Sequence, residues 1–424
     1  MAISQQIIVS TVKIILLVLL FMQAVTDARA WQTARITPNP VVDFPKGCII
    51  WNGHLENERR LLVSNSPESV THLDTPVLWH DEVIGKSGKV FTQHRIFLWH
   101  ANGLASTGIK VGVTVENLSP DHSLTLTGGR VVAAVGRHAD PIKGVGLPIA
   151  VGALDIDNAQ GIPLADPTVA PATSLTAPAI RGVIGWNLYP GQMVGAIIEL
   201  TVMKSIPSAP GDLHYMVRVV AGRWGEQMTG NSRLSEGGNG SGLSAMQVKV
   251  SHAGELMTHS RGSWAHCDIA IDNRTHPFSY SLNPRFAFIT FPGANDLLMT
   301  RANSYDSQHA SIDGNAGNWG VMYRITVYVT LPANTSRGKR IEMRFVAVNT
   351  WSKSSGQVNP YAGAARVNGG AVNTIPVLKW GTKRNSTGVI WTFTPLPGNI
   401  SSQTIQLVHA GGACLPVAIM LKGI

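Results

Sequence analysis

Cysteine is scarce in this 424-residue chain, where Cys48, Cys267 and Cys414 are the only three. An odd, widely spaced set excludes a dense disulfide framework and a Cys-x-x-Cys redox or zinc pair, because both need closely paired thiols. One disulfide remains open in an oxidising compartment, with Cys267 and Cys414 the natural partners since both fall in the C-terminal half. Three buried apolar thiols are the alternative. Acidic side chains are also few, 25 against 34 Lys and Arg. That shortage weakens a glycosidase reading, which needs two carboxylates set across a sugar, without removing it. Signatures of nucleophilic, zinc and phosphate chemistry are missing as well: there is no Gly-x-Ser-x-Gly elbow and no His-Glu-x-x-His helix. Gly85-Lys86-Ser87 lacks the earlier glycine of a phosphate loop, with His80 in its place, and Gly240-Ser241-Gly242 follows a flexible stretch instead of a strand.

Long apolar runs are confined to the N-terminus. Lys13 precedes the unbroken run Ile14 to Met22, and Ala28-Arg29-Ala30 follows a few residues later. This order predicts a cleavable signal peptide over residues 1–30 and a secreted, extracellular or cell-surface product. The run is about a dozen residues with Ala24 and Val25, short of the roughly 20 that a membrane-spanning helix needs. No later stretch approaches that length, so no transmembrane helix is expected in the mature chain. Removing the signal leaves 32 basic and 24 acidic side chains. A basic exported protein tends to meet polyanions, and outside a cell these are anionic wall polymers, polysaccharides or lipid headgroups, with no nucleic acid expected. The cations are scattered, the densest doublets being Arg59-Arg60, Lys339-Arg340 and Lys383-Arg384. Plain solubility is therefore the competing explanation.

What is abundant is period-two alternation, with 43 Gly and 24 Pro dividing short extended segments. Ile109, Val111, Val113 and Val115 alternate with Lys110, Gly112, Thr114 and Glu116; after the polar turn 117–122, Leu124 and Leu126 resume the pattern. This predicts a hairpin. Ile325, Val327, Val329 and Leu331 lead through 332–339 into Ile341, Met343 and Phe345, a second predicted hairpin about 216 residues on. An all-β architecture of two antiparallel sandwiches, Ig-like or jelly-roll-like, is the economical reading. The expected domains are 31–224 and 246–424, joined by a Gly/Ser-rich linker or loop at 225–245. The proline-dense stretch 161–179 is expected as a surface excursion. Helical signals are limited to single turns near Ser66-Pro67-Glu68 and at Gly254 to His259.

The segments 62–68, His100 to Gly103, His259 to Gly262 and Gly317 to Tyr323 resemble a family of secreted β-rich proteins from spore-forming Gram-positive bacteria. Some of its members occur alongside copper amine oxidase-like N-terminal stalk domains. The resemblance spans residue 60 to the end and implies location and fold; the family brings no activity with it. Oxidase chemistry is disfavoured directly, since the chain has neither an Asn-Tyr pair to form a quinone nor a His-x-His copper pair.

Six residues within or beside these motifs, His100, Asn102, Arg261, His266, Asn318 and Trp319, form the candidate ligand site. No catalytic, cofactor or metal residue is assigned. Fourteen histidines invite a metal reading. However, His94 and His100 on one strand face stand about 20 Å apart, and the seven-residue spacing of His252, His259 and His266 falls in strand and loop sequence. Asp306, Asp313, Asn315 and Asn318 offer oxygen donors to Ca2+, without the terminal Glu of a calcium loop, and turn building is the plainer use. Asp155-Ile156-Asp157-Asn158 stands in the same position. Among eleven tryptophans, Trp186, Trp319 and Trp391 are candidates for stacking on sugars, whereas Trp99 and Trp264 suit a core equally well. The leading expectation is a non-catalytic exported protein of the cell envelope, held by distributed basic charge; the alternative is a carbohydrate-binding or carbohydrate-active protein using exposed Trp.

Overall fold

The computed structural model describes residues 32–33, 35–40, 49–50, 54–65, 68–73, 77–84, 88–162, 164, 167–172, 179–224, 262–272, 287–291, 319–347, 360–379, 384–413 and 417–424. The expected signal segment at 1–30, the 225–245 stretch, the turn expected at Gly254 to His259, the loop expected at Asp306 to Asn318, Cys48 and Cys414 lie outside the described residues. In chain order the strands are β1 (Gln32–Thr33), β2 (Arg35–Pro40), β3 (Ile49–Ile50), β4 (His54–Ser64), β5 (Ser69–Val70), β6 (Val77–Ile84), β7 (Phe91–Asn102), β8 (Ile109–Asn117) and β9 (Leu124–Arg137). A π-helical turn at Ile142–Gly146 runs into α1 (Leu147–Ala153). There follow β10 (Gln160–Gly161), β11 (Thr168–Val169), β12 (Ile180–Leu188), β13 (Gln192–Lys204) and β14 (His214–Arg223). The C-terminal half contributes β15 (Gly262–Asp272), β16 (Ala287–Phe291), β17 (Met322–Thr330), β18 (Ile341–Ala347), β19 (Pro360–Val367), β20 (Val372–Lys379), β21 (Arg384–Phe393), β22 (Ile400–His409) and β23 (Val417–Gly423).

The fold is all-β, and the described residues form three sheets. A large sheet has the order β1-β20-β19-β22-β17-β15-β4-β7-β13-β9-β10, with β5 and β11 attached to β7 and β9. Two smaller sheets, β12-β8-β14-β6 and β2-β21-β18-β23-β16-β3, complete it. Strands of both halves of the chain meet in the large sheet at β15, which pairs antiparallel with β4 and parallel with β17. Most pairings are antiparallel, but β4 and β7 also run parallel. Around this seam the strands are covered on both faces. Ile96 and Leu98 of β7 point into one apolar cluster shared with the four-stranded sheet. Phe97 and Trp99 point into another, which continues through Tyr323, Phe345 and Leu407. A strand buried on both sides reads as a continuous apolar run, which is why 96–99 shows no alternation.

Both expected hairpins are overturned by the pairing. β8 and β9 are consecutive, yet β8 bonds to β12 and β14 in the four-stranded sheet while β9 bonds to β13 in the large one. Likewise β17 pairs with β15 and β22, and β18 with β21 and β23. Each connection is an arch that crosses from one sheet to the other. Alternation fixes which side of a strand faces the core; it does not say whether the next strand lies beside it or opposite. The first arch is built by Asn117, whose amide donates to the carbonyls of His122 (2.8 Å) and Ala170 (3.0 Å) while its Oδ1 accepts from Ser119 N (2.9 Å).

The 142–153 segment corrects the expectation of isolated turns only. Ile142, Val145, Ile149 and Ala153 recur at helical spacing, and all four belong to or pack against one core cluster. Pro141 and Pro148 fall at positions where a helix start tolerates proline. The segment rests on the large sheet, and a β-carbon on Gly146 would collide with the Gly411 carbonyl. Arg366, on β19, pairs with Asp155 just beyond α1. The 161–179 excursion is anchored by two short pairings, β10 and β11 against β9, which cover part of that sheet edge. At the other expected turn, Glu68 forms a bend leading into β5, while residues 66 and 67 lie outside the described set.

Candidate functional site

The six sequence-derived candidates divide as follows. His100 and Asn102 lie two residues apart on one face of β7. His100 Nε2 is 2.8 Å from Ser64 Oγ. Asn102 donates to the carbonyls of Thr107 (2.8 Å) and Leu188 (3.0 Å) and accepts from Leu104 N (3.0 Å), so it organises the loop that follows. Trp319 is half-buried and packs against the cluster on the opposite face of that sheet. The three are therefore not brought together. His266 is a backbone position in β15 opposite Met322 and Glu56, its side chain outside the description; Arg261 and Asn318 are outside it altogether.

Several buried ionisable groups are cross-ties between strands. Arg60 of β4 bonds Asp81 of β6 through Nε (3.2 Å) and Nη2 (2.7 Å), linking two sheets. Nearby, His94 Nε2 lies 2.5 Å from Tyr215 Oη. Burial, reinforced by Arg60 and Lys89, holds the His94 pKa well below its ordinary value, and burial pushes the Tyr215 hydroxyl up. The C-terminal half repeats the motif with Tyr361 Oη 3.0 Å from His409 Nδ1. There burial lowers the histidine to about 3 and raises the tyrosine well above its usual range. On the other face of β7, Arg95 and Arg59 both contact Glu199. Neutral imidazoles and matched charges of this kind hold sheets in register. Among the described residues no group of three His, Cys, Asp or Glu is placed to share a metal.

Of the tryptophans, Trp99 is core, and its indole donates to Glu68 Oε1 at 3.0 Å. Trp186, Trp319 and Trp391 are each half-buried against an apolar cluster, and Trp391 also donates to Gln403 Oε1 at 2.8 Å. They are part of the packing, because each sits on a strand or turn whose inward side faces the core. Trp264 belongs to β15 with its side chain undescribed.

The exposed aromatic surface lies elsewhere. Tyr189 and Trp224, 58% and 42% exposed, meet edge to face with ring centroids 4.9 Å apart. Tyr189 opens the turn Tyr189-Pro190-Gly191-Gln192, closed by Gln192 N to Tyr189 O at 3.0 Å, with Gly191 at φ +76°. Proline followed by a positive-φ glycine is the chemistry of a type II turn. Trp224 ends β14, and its backbone N–H donates to Gly108 O at 2.9 Å. A β-carbon on Gly108 would lie 2.9 Å from Trp224 Cε3, so the indole rests on bare backbone. Immediately inside the pair, Asn187 and Lys110 face each other across β12 and β8. Lys110 is half-buried, and burial lowers its amine pKa. Two ring surfaces fixed on a rigid sheet end, with an amide and an amine close by, suit a ligand having both a flat apolar face and hydroxyls. Sequence reasoning missed this pair: Pro190-Gly191 is ordinary turn chemistry, and no local pattern links it to a tryptophan 35 residues away.

No family model and no curated protein matches this chain. Solved structures give low similarity. The crystal structure of plant peptide RALF23 in complex with FER and LLG2 aligns over 86% of this chain and 95% of its own, at 8% identity and TM-score 0.14. The STIV MCP aligns over 81% and 95%, at 10% identity and TM-score 0.14. The CupB6 tip adhesin from Pseudomonas aeruginosa aligns over 90% and 89%, at 8% identity and TM-score 0.11.

Proposed function

We propose that this chain is an exported, non-catalytic binding protein of the extracellular or cell-surface space, and that it meets a glycan through Tyr189 and Trp224. The observation that carries the reading is the exposed edge-to-face pair seated on Gly108. A pyranose presents a C–H face that stacks on such rings, and its equatorial hydroxyls reach neighbouring amides and amines. The signal-like N-terminus and the basic balance support an extracellular setting rich in anionic polymers. The matched buried ions fit a rigid scaffold, which lowers the ordering cost of binding. The test is a glycan array on the mature protein, followed by titration of the hits against indole fluorescence. Binding that disappears in Trp224→Ala, with unchanged thermal unfolding, supports the site. Silence across wall and plant polysaccharides retires it.

A further inference from the structure

A second surface, independent of the aromatic pair, lies at one end of the C-terminal half. Two arches meet there. Residues 331–340 connect β17 to β18, and 394–399 connect β21 to β22. Gly398 N donates to Leu331 O at 2.9 Å, Ile400 lies opposite Thr330, and Phe393 lies opposite Ile341. The C-terminal residue joins the same end, since Ile424 N donates to Arg340 O at 2.9 Å. Leu396 and Ile400 project there at 63% and 53% exposure, and the adjoining arch carries the exposed cations Arg337, Lys339 and Arg340. Neither arch contains an acidic residue. The adjoining acidic side chain, Glu342, is buried and accepts from Arg344 Nε at 2.9 Å.

From this juxtaposition we infer that the end formed by 331–340 and 394–400 docks on an anionic phospholipid surface. Aliphatic tips gain from entering the headgroup and acyl boundary, and a basic rim gains from the negative surface potential above it. Together they supply the two signals that reversible surface binding requires. A hydrated anionic polymer would reward the rim and leave Leu396 and Ile400 in water. A second copy meeting this end two-fold would press three cations against three. Complementary charge with an apolar tip therefore selects the lipid.

The experiment is cosedimentation of the mature protein with phosphatidylcholine vesicles, with and without phosphatidylglycerol. Partitioning is expected only with the anionic lipid. Each cation contributes a factor of about five, so Arg337→Gln/Lys339→Gln/Arg340→Gln should bind about a hundred-fold more weakly. Leu396→Ser/Ile400→Ser should lose at least about ten-fold. Arg137→Gln/Lys143→Gln, which removes exposed cations elsewhere, should bind as the parent does. Absence of anionic-vesicle binding overturns the inference. So does equal retention of the Leu396→Ser/Ile400→Ser variant, the result expected of a polymer site, or self-association that this variant abolishes. The vesicles contain no sugar, so failure here leaves the Tyr189–Trp224 reading standing.

Discussion

Arg95 and Glu199 are direct register partners on β7 and β13, with Arg95 Nε 2.7 Å from Glu199 Oε1. Arg59 closes on the same carboxylate from β4, and Arg95 Nη1 reaches the Gly320 carbonyl at 3.3 Å. One buried ion cluster thus binds three strands of the large sheet to the turn that leads into β17. Burial alone would raise the Glu199 pKa, but the two guanidiniums hold it below the ordinary carboxylate value. Burial also lowers that of Arg95, against the pull of Glu199.

Breaking this cluster from one side should cost far more than replacing it. Glu199→Gln leaves Arg95 buried without its counter-ion, and a loss of about 3–5 kcal/mol is expected. The double variant Arg95→Met/Glu199→Leu removes both charges and should lie much closer to the parent. Urea unfolding of the parent and both variants gives the comparison. A Glu199→Gln value within about 0.5 kcal/mol of the parent, the range of ordinary surface changes, would show that the cluster is not a tie.

Acid should destabilise the fold through its buried histidines. In an unfolded chain a histidine takes up its proton near 6.5, whereas folded His409 does so only at about 3. Between those values the unfolded state binds more protons, so unfolding free energy falls as pH falls. The contribution is complete above about pH 6.5 and disappears progressively towards 3. His94, also lowered, acts in the same direction. Each histidine adds a slope of up to about 1.4 kcal/mol per pH unit. His409→Gln should flatten the stability profile between pH 6 and 4 by that single-proton slope, read by chemical unfolding at several pH values.

The first arch gives a test of topology. Asn117 satisfies the turn with its amide and carbonyl together, all within the buried interior. Asn117→Ala strands the carbonyls of His122 and Ala170 and the Ser119 N–H, and should lower stability by about 2–3 kcal/mol. Asn117→Asp keeps the acceptor and loses the donors, so it should not rescue. Thermal and urea midpoints check both. A neutral Asn117→Ala would mean that the crossing is set by the strands alone.

Side-chain direction was legible in the sequence, and neighbour relations were not. The 109–116 alternation correctly set Val111, Val113 and Val115 towards a core. The choice between arch and hairpin depends on a partner such as β12 or β14, placed tens of residues away, so local pattern cannot make it. The helical 142–153 segment was obscured by Gly144, Gly146 and Gly152. Gly146 and Gly152 are there for close approach to Gly411 and Val132, a tertiary demand that looks locally like loop sequence. His100 and Asn102 were singled out by the motif His100 to Gly103, and their contacts are with Ser64 and loop backbone. Trp224 gave no such local signal, because its exposure comes from meeting Gly108 and Tyr189 in space.

Gly108 offers a way to separate the geometry of the aromatic pair from its chemistry. A β-carbon at 108 would lie 2.9 Å from Trp224 Cε3, too close for the ring to stay where it is, and at ordinary contact distance, 3.5 Å, from the Trp224 Cβ. Gly108→Ala should therefore tilt Trp224 away from its seat while leaving both aromatic residues in the chain. If ring placement matters, glycan affinity should fall about ten-fold or more, since misplaced anchors forfeit their preorganisation, and the indole emission should shift. Stability should change little, because the pair is at the exposed end of the sheet. Unaltered glycan binding in Gly108→Ala, alongside loss in Trp224→Ala, would mean that the indole acts by its presence and not by the orientation its glycine seat imposes.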